Sequence, residues 1–199
     1  MHHTTQETGH IVAPKNRVKP RLLLHACCAP CSTAVVERLA ADYDISIYFY
    51  NPNIYPVEEY RQRRDELIHW CSNVADVPCI VGEYVPEAWM EQIRGLEHEP
   101  ERGRRCNRCF RLRLQRAAIY AREHHYDLFT TVLSISPHKR YECINRLGLA
   151  LARHHGIEFY AANFKKKNGF KRSIEISHTQ NFYRQNYCGC VFSRPLAGA

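Results

Sequence analysis

The sequence predicts an α/β fold, a mostly parallel sheet flanked by helices. Short apolar runs that read as buried strands alternate with longer segments of helical period. Turn signals such as Asn51-Pro52-Asn53 and Ser136-Pro137 separate them. No internal repeat or low-complexity tract interrupts the alternation. The 199 residues, 45% of them hydrophobic, suit a single core of ordinary size. We expect a flexible arm over residues 1–20, punctuated by Pro14 and Pro20, and one catalytic α/β domain over 21–199.

Arg21–His25 (RLLLH) is a first strand, too continuously apolar for a half-exposed one. Ser32 is the expected cap of the helix after it, whose apolar face is Ala34, Val35, Val36 and Leu39. Asp44–Asn51 is a second strand, and Pro56 opens a helix running to about Asn73. Cys79–Gly82 is a third strand, followed by a helix near Glu87–Ile93 and a charged loop, Gly95–Arg105. A helix then carries Cys106 to about His124. Asp127–Leu133 is a fourth strand, Tyr141–His154 a helix, Ile157–Ala161 a fifth strand and Phe170–Arg184 a last helix. In such sheets ligands gather beyond the carboxyl ends of the strands, and the first cysteine cluster stands at one of them.

Composition narrows the function classes. No apolar run approaches the roughly 18 residues that span a bilayer, and the polar, histidine-rich start lacks an export signal. Both point to a cytoplasmic protein with no membrane partner. There disulfide scaffolds are disfavoured, and cysteines serve metal or catalysis. The net charge of +8 suits a polyanionic partner, and its distribution points to nucleic acid. Arg102, Arg104, Arg105, Arg108, Arg111 and Arg113 crowd one stretch, and Lys165, Lys166, Lys167, Lys171 and Arg172 another. Both read as phosphate clamps.

Most of the ten cysteines fall in three clusters: Cys27-Cys28-x-x-Cys31, Cys106-x-x-Cys109 and Cys188-Gly189-Cys190. Cys71, Cys79 and Cys143 stand alone among apolar residues and read as small core side chains. Spaced by three on a helix, Cys106 and Cys109 address one centre. Near a helix start and beside arginines, they are expected to ionise readily. Cys27, Cys28 and Cys31 add three sulfurs from a strand-to-helix turn. Five thiolates exceed what a tetrahedral zinc takes, whereas four suit an iron-sulfur cubane with one to spare. Structural zinc and metal-free dithiol chemistry remain open. The Cys188–Cys190 pair fits a reducible disulfide, metal ligands, a proton source or two buried thiols. His25 is as compatible with the core as with a functional role. Among Tyr48, Phe49, Tyr50 and Tyr55, the last two lie nearest the strand end, where a splayed base would stack.

Taken in order, these motifs form a recognisable set. They are His25-Ala26-Cys27-Cys28-Ala29-Pro30-Cys31, Tyr48-Phe49-Tyr50-Asn51-Pro52-Asn53-Ile54, Glu59-Tyr60, Cys106-x-x-Cys109, Ser136-Pro137-His138-Lys139, and Tyr183-Arg184-Gln185-x-Tyr187-Cys188-Gly189-Cys190-x-Phe192-Ser193. The ensemble, over residues 21 to about 194, resembles the QueH-type epoxyqueuosine reductases. One departure is the basic run Lys165–Lys167 before Gly169, where a shorter glycine-rich loop is expected. The resemblance implies a fold like that of the adenine-nucleotide alpha-hydrolase (PP-loop) proteins, although their Ser-Gly-Gly-x-Asp-Ser phosphate loop is absent. It also implies a 4Fe-4S cluster, an adjacent single metal ion (iron or zinc), a tRNA bearing epoxyqueuosine and an electron donor not identified by the sequence. The implied reaction is the last step of queuosine biosynthesis, two-electron removal of an epoxide oxygen. On this reading Cys27, Cys28, Cys106 and Cys109 hold the cluster, Cys31 the second ion, and Cys188 and Cys190 supply protons or electrons. Tyr50, Tyr55, Arg104, Arg105, Arg108, Lys139, Lys166, Lys171 and Arg184 are the expected tRNA contacts. Two competitors stand beside it: a zinc-containing RNA-binding module without catalysis, and an ATP-dependent tRNA-thiolating enzyme, which the missing phosphate loop disfavours.

Overall fold

A computed structural model describes residues 19–194, so most of the expected amino-terminal arm lies outside the described residues. Five strands form one parallel sheet in the order β3-β2-β1-β4-β5. They are β1 (Arg21–Ala26), β2 (Asp44–Phe49), β3 (Cys79–Val81), β4 (Leu128–Thr131) and β5 (Glu158–Phe159). The helices are α1 (Ala29–Leu39), α2 (Val57–Trp70), α3 (Pro86–Ile93), α4 (Arg104–Glu123), α5 (Tyr141–His155) and α6 (Gly169–Thr179).

β1 is central, in register with β2 from Arg21 opposite Asp44 and with β4 from Leu22 opposite Leu128. Its neighbours leave it no solvent face: Leu22, Leu23 and Leu24 are fully buried, each stabilising the fold by about 1.5–3 kcal/mol through lost apolar surface. The chain winds from β1 outward to β3, then returns across the sheet to β4. Right-handed crossovers in opposite directions put the helices on opposite faces. α1 packs on α2 and α6, whereas α4 packs on α5 and lies against β1 and β4. Gly148 allows the close approach of α5 to the edge strand, since a Cβ there would sit 2.4 Å from the Phe159 ring. The connections leaving β1 and β4 part in opposite directions. Between their carboxyl ends lies the crevice where ligands bind in sheets of this kind.

Several boundaries differ from the sequence reading. Ser32 is inside α1 and does not cap it: the cap position is Cys28, Pro30 sits in the first turn, and Ser32 Oγ donates back to the Cys28 carbonyl at 2.8 Å. α2 ends in a turn of π-helix, Cys71–Ala75, closed by Asp76 in the left-handed region (φ 50°). The fifth strand shrinks to Glu158–Phe159, because it sits at the sheet edge and pairs only with β4. α6 stops at Thr179, five positions short of the expected end, where Asn181 takes a positive φ of 53°. A 3-10 turn, Val191–Ser193, follows the last cysteine cluster.

Candidate active site

The first cluster begins where β1 ends. Cys27 and Cys28 leave the strand, α1 starts at Ala29, and its first turn brings Cys31 back over them. The three sulfurs lie within 4.8 Å of one another, a spacing at which all of them can ligate one metal ion. Cys27 and Cys28 are 3.7 Å apart, Sγ to Sγ. Crowding makes the three behave as a unit. Hydrogen bonds from Cys28 and Cys31, helped by Lys139 and Arg113, hold Cys27 well below the usual thiol range. The same sharing pushes Cys28 up to about 12, and Cys31 up as well. Of the three, Cys27 is the thiol whose ionised form the turn favours. Gln185, which sequence reasoning left unassigned, donates to Cys28 Sγ at 3.1 Å.

Cys106 and Cys109 occupy the first two turns of α4. Gly103 precedes the helix, and the Glu99 carboxylate accepts the Arg104 N–H at 3.0 Å, meeting one of the unpaired donors of the helix start. The Arg102 N–H donates to Cys106 Sγ at 3.3 Å. The helix-start setting was expected to lower both thiols, yet burial wins and raises them. Cys109 packs with Cys190, Trp89 and Ile93, so the second and third clusters share one wall.

The third cluster is a tight turn built around Gly189, whose φ of 108° is a left-handed value that disfavours any other residue. Its carbonyl accepts the Tyr55 N–H at 2.8 Å, and Arg63 donates to the carbonyls of Cys188 (3.3 Å) and Tyr187 (3.4 Å). The Cys188 and Cys190 sulfurs are free thiols 3.6 Å apart, with the Ser193 hydroxyl 2.9 Å and 3.3 Å from them. The hydrogen bond shared with Cys190 pulls Cys188 down to about 5, with Lys139 assisting, and pushes Cys190 up.

Two adjoining cavities connect these elements. Cys106, Cys109, Cys188, Cys190 and Arg113 line one, and Cys27, Cys31, Cys188, Gln185 and Arg184 line the other. They share His138, Lys139, Glu101 and Cys188. The three cysteine clusters, remote in sequence, therefore open onto one crevice at the carboxyl ends of β1 and β4. Cys143, expected to be plain core, is buried but gives its thiol to Asn107 Oδ1 (3.0 Å) and lines the first cavity.

The expected tRNA contacts divide. Lys139 faces both cavities, and Arg184 lines the second. Arg104, Arg108, Lys166 and Lys171 are exposed. Lys171 lies on α6, away from those cavities, beside Arg38, Lys167 and Arg172. Tyr55 is 51% exposed, a usable stacking face. Tyr50 is not: it is buried and stacks on Tyr48. Arg105 is also buried. It lines the first cavity, where it donates to the carbonyls of Glu97 and Glu99 and lies over the Phe192 ring, so its guanidinium is already engaged within the protein. The signal for that was available: Arg105, Cys109 and Arg113 recur every four residues and share the inner face of α4. His25 is an interior histidine. Nε2 donates to the Tyr50 carbonyl, Nδ1 bonds Thr131 Oγ1 at 2.8 Å, and burial lowers its pKa to about 3.

The family model described as epoxyqueuosine reductase QueH matches residues 22–195. The chain is 45% identical to the epoxyqueuosine reductase QueH of Acinetobacter baylyi over 87% of its own length and 80% of that protein. It is 40% identical to that of Streptococcus pyogenes serotype M1, over 92% and 74%. Against that of Thermotoga maritima the identity is 34%, over 86% and 89%.

Proposed function

The chain belongs to the QueH family of epoxyqueuosine reductases, and we propose that its three converging thiol clusters carry out that reduction. The activity is that of an oxidoreductase acting in the final step of queuosine biosynthesis, on an epoxide-bearing nucleoside of tRNA. Opening the epoxide to a carbon–carbon double bond consumes two electrons and two protons and releases the oxygen as water.

The observation that carries the reading is the set of three sulfurs within 4.8 Å on the same crevice as Cys106, Cys109 and the Cys188–Cys190 pair. Soft, buried sulfur donors of this number suit iron-sulfur ligation. We assign Cys27, Cys28, Cys106 and Cys109 to a 4Fe-4S cluster and Cys31 to a neighbouring single metal ion. When bound, the cluster would supply electrons one at a time, and the ion would draw charge from the epoxide oxygen.

The remaining steps belong to side chains. Lys139, facing both cavities, offers positive charge where the oxygen becomes negative. Closing Cys188 and Cys190 to a disulfide releases two electrons and two protons, the number the reduction consumes. An external electron donor must then reopen it. The 3.6 Å separation of their sulfurs in a turn permitted by Gly189 favours that role. Tyr55 offers a stacking face for the base, while Arg104, Arg108, Lys166, Lys171 and Arg184 bind phosphates around the crevice. Among the described residues no helix is long and apolar enough to cross a membrane. We read the reaction as cytoplasmic, because its substrate is a tRNA and its thiols require a reducing compartment.

The test is anaerobic reconstitution with iron and sulfide, reduction, and incubation with epoxide-bearing tRNA. Nucleoside mass analysis should show the loss of one oxygen atom from the modified nucleoside. A colourless protein holding stoichiometric zinc, with the nucleoside unchanged, would overturn the assignment.

A further inference from the structure

Among the described residues three arginines are buried, Arg63, Arg105 and Arg113, and their partners differ. Arg63 has a carboxylate, Glu59, at 2.6 Å. Arg105 bonds two backbone carbonyls and lies over an aromatic ring. Arg113 is only 3% exposed, yet the one oxygen acceptor it meets among the described residues is the neutral amide oxygen of Asn51, reached from Nη2 at 2.5 Å. Its Nε is buried with no acceptor, and it joins no ion pair among the described residues. A buried cation left so is costly unless an anion belongs beside it.

Its surroundings say which anion. Arg113 is one helical turn beyond Cys109 on the inner face of α4 and lines the cavity that holds Cys106, Cys109, Cys188 and Cys190. Asn51, whose Oδ1 accepts the hydrogen bond from Nη2, donates from Nδ2 at 2.9 Å to the carbonyl of Ala26, the last residue of β1 before Cys27. The guanidinium is therefore tied on one side to the turn that presents the first thiols and rooted on the other in the helix that presents the second.

We propose that Arg113 is the built-in counter-charge of the metal-sulfur centre, a positioning residue that locks the two thiol-bearing elements together and raises the reduction potential of the cluster they hold. A fixed positive charge in a water-poor site stabilises the more negative, reduced form over the oxidised one. The inference rests on the cluster reading above and adds to it a residue that makes no bond to metal.

The experiment compares the parent, Arg113→Gln and Arg113→Lys, each reconstituted anaerobically, by iron content and by potentiometric titration of the cluster absorbance. Arg113→Gln should retain iron but shift the one-electron equilibrium toward the oxidised form by at least tenfold, equivalent to about 59 mV. Arg113→Lys should recover most of that shift. If Arg113→Gln is folded but takes up no iron while Arg113→Lys does, charge is again the requirement and the proposal stands. Iron-loaded Arg113→Gln with the parental potential, or equal loss of iron in both variants, overturns it. A parent protein that binds no iron overturns the cluster assignment itself and the inference with it.

Discussion

Cysteine sulfurs pair at both ends of the sheet, and the two places are chemically opposite. At the carboxyl end of β1, Cys27, Cys28 and Cys31 crowd together beneath Lys139, Arg113 and Arg63. Near the amino end of β3, Cys79 meets Cys71 at the close of α2; hydrogen bonding between them raises Cys71 and lowers Cys79, with no cation contributing to either shift. The first group opens on a crevice lined by a further thiol, Cys188, whereas in the second Cys71 is buried in the core and Cys79 is half-buried against it. Sulfur proximity alone therefore does not make a site. What distinguishes the two is the edge of the sheet, since only at the carboxyl edge do the chain connections part and leave room for a ligand, together with the cations placed there.

That contrast can be broken or sharpened by substitution. The largest effect is expected for Cys109→Ala: absorbance near 400 nm after reconstitution should vanish, and turnover should fall by more than about a hundredfold, the loss already typical of outer-shell changes. Full turnover in that variant would remove Cys109 from the ligand set. Cys188→Ala should keep its iron and lose turnover by about 10²–10⁴-fold, the scale of a positioned proton donor; iron analysis beside nucleoside assays separates the two roles. Gly189→Ala should be milder. A Cβ there would sit 2.9 Å from Ile54 Cγ1 and 3.1 Å from Arg63 Nη1, on a φ of 108°, so about 1–3 kcal/mol of stability should be lost in a denaturant titration. The smallest effect belongs to the second sulfur pair. Cys71→Ala should leave iron content and turnover within twofold of the parent while costing about 1 kcal/mol of stability, from lost packing alone.

How far the sequence could be read depended on whether a residue's role was local. The apolar run at Leu22–Leu24 and the helical period from Leu112 to Ala121 reveal themselves without any tertiary knowledge, and the strand-helix alternation predicts the five parallel strands observed. Boundaries set by a single backbone torsion were not legible, as at Asn181, where α6 has already ended. The cysteine clusters announced themselves through spacing. The side chains that serve them did not, because Gln185, Ser193 and Asn51 carry ordinary polar groups whose partners are distant in the chain. The arginines of α4 misled for a different reason. Counted together they look like one basic patch, but a helix turns 100° per residue and sends Arg105 and Arg113 inward while Arg104 and Arg108 face solvent. Cys71 and Cys79 read as isolated hydrophobes because nothing in the sequence shows that the end of α2 meets the start of β3.

The central position of β1 has one more consequence. A strand bonded on both flanks opens only when much of the sheet opens with it, so the Cys27 turn has a stiff footing. Cys106 and Cys109 instead ride near the free end of a helix, and Cys188 and Cys190 sit on a short irregular segment held by a few carbonyl bonds. Compliance therefore rises from the first thiols to the last. The anchored turn is thus the fixed point of the crevice, and the walls that face it are the ones able to give.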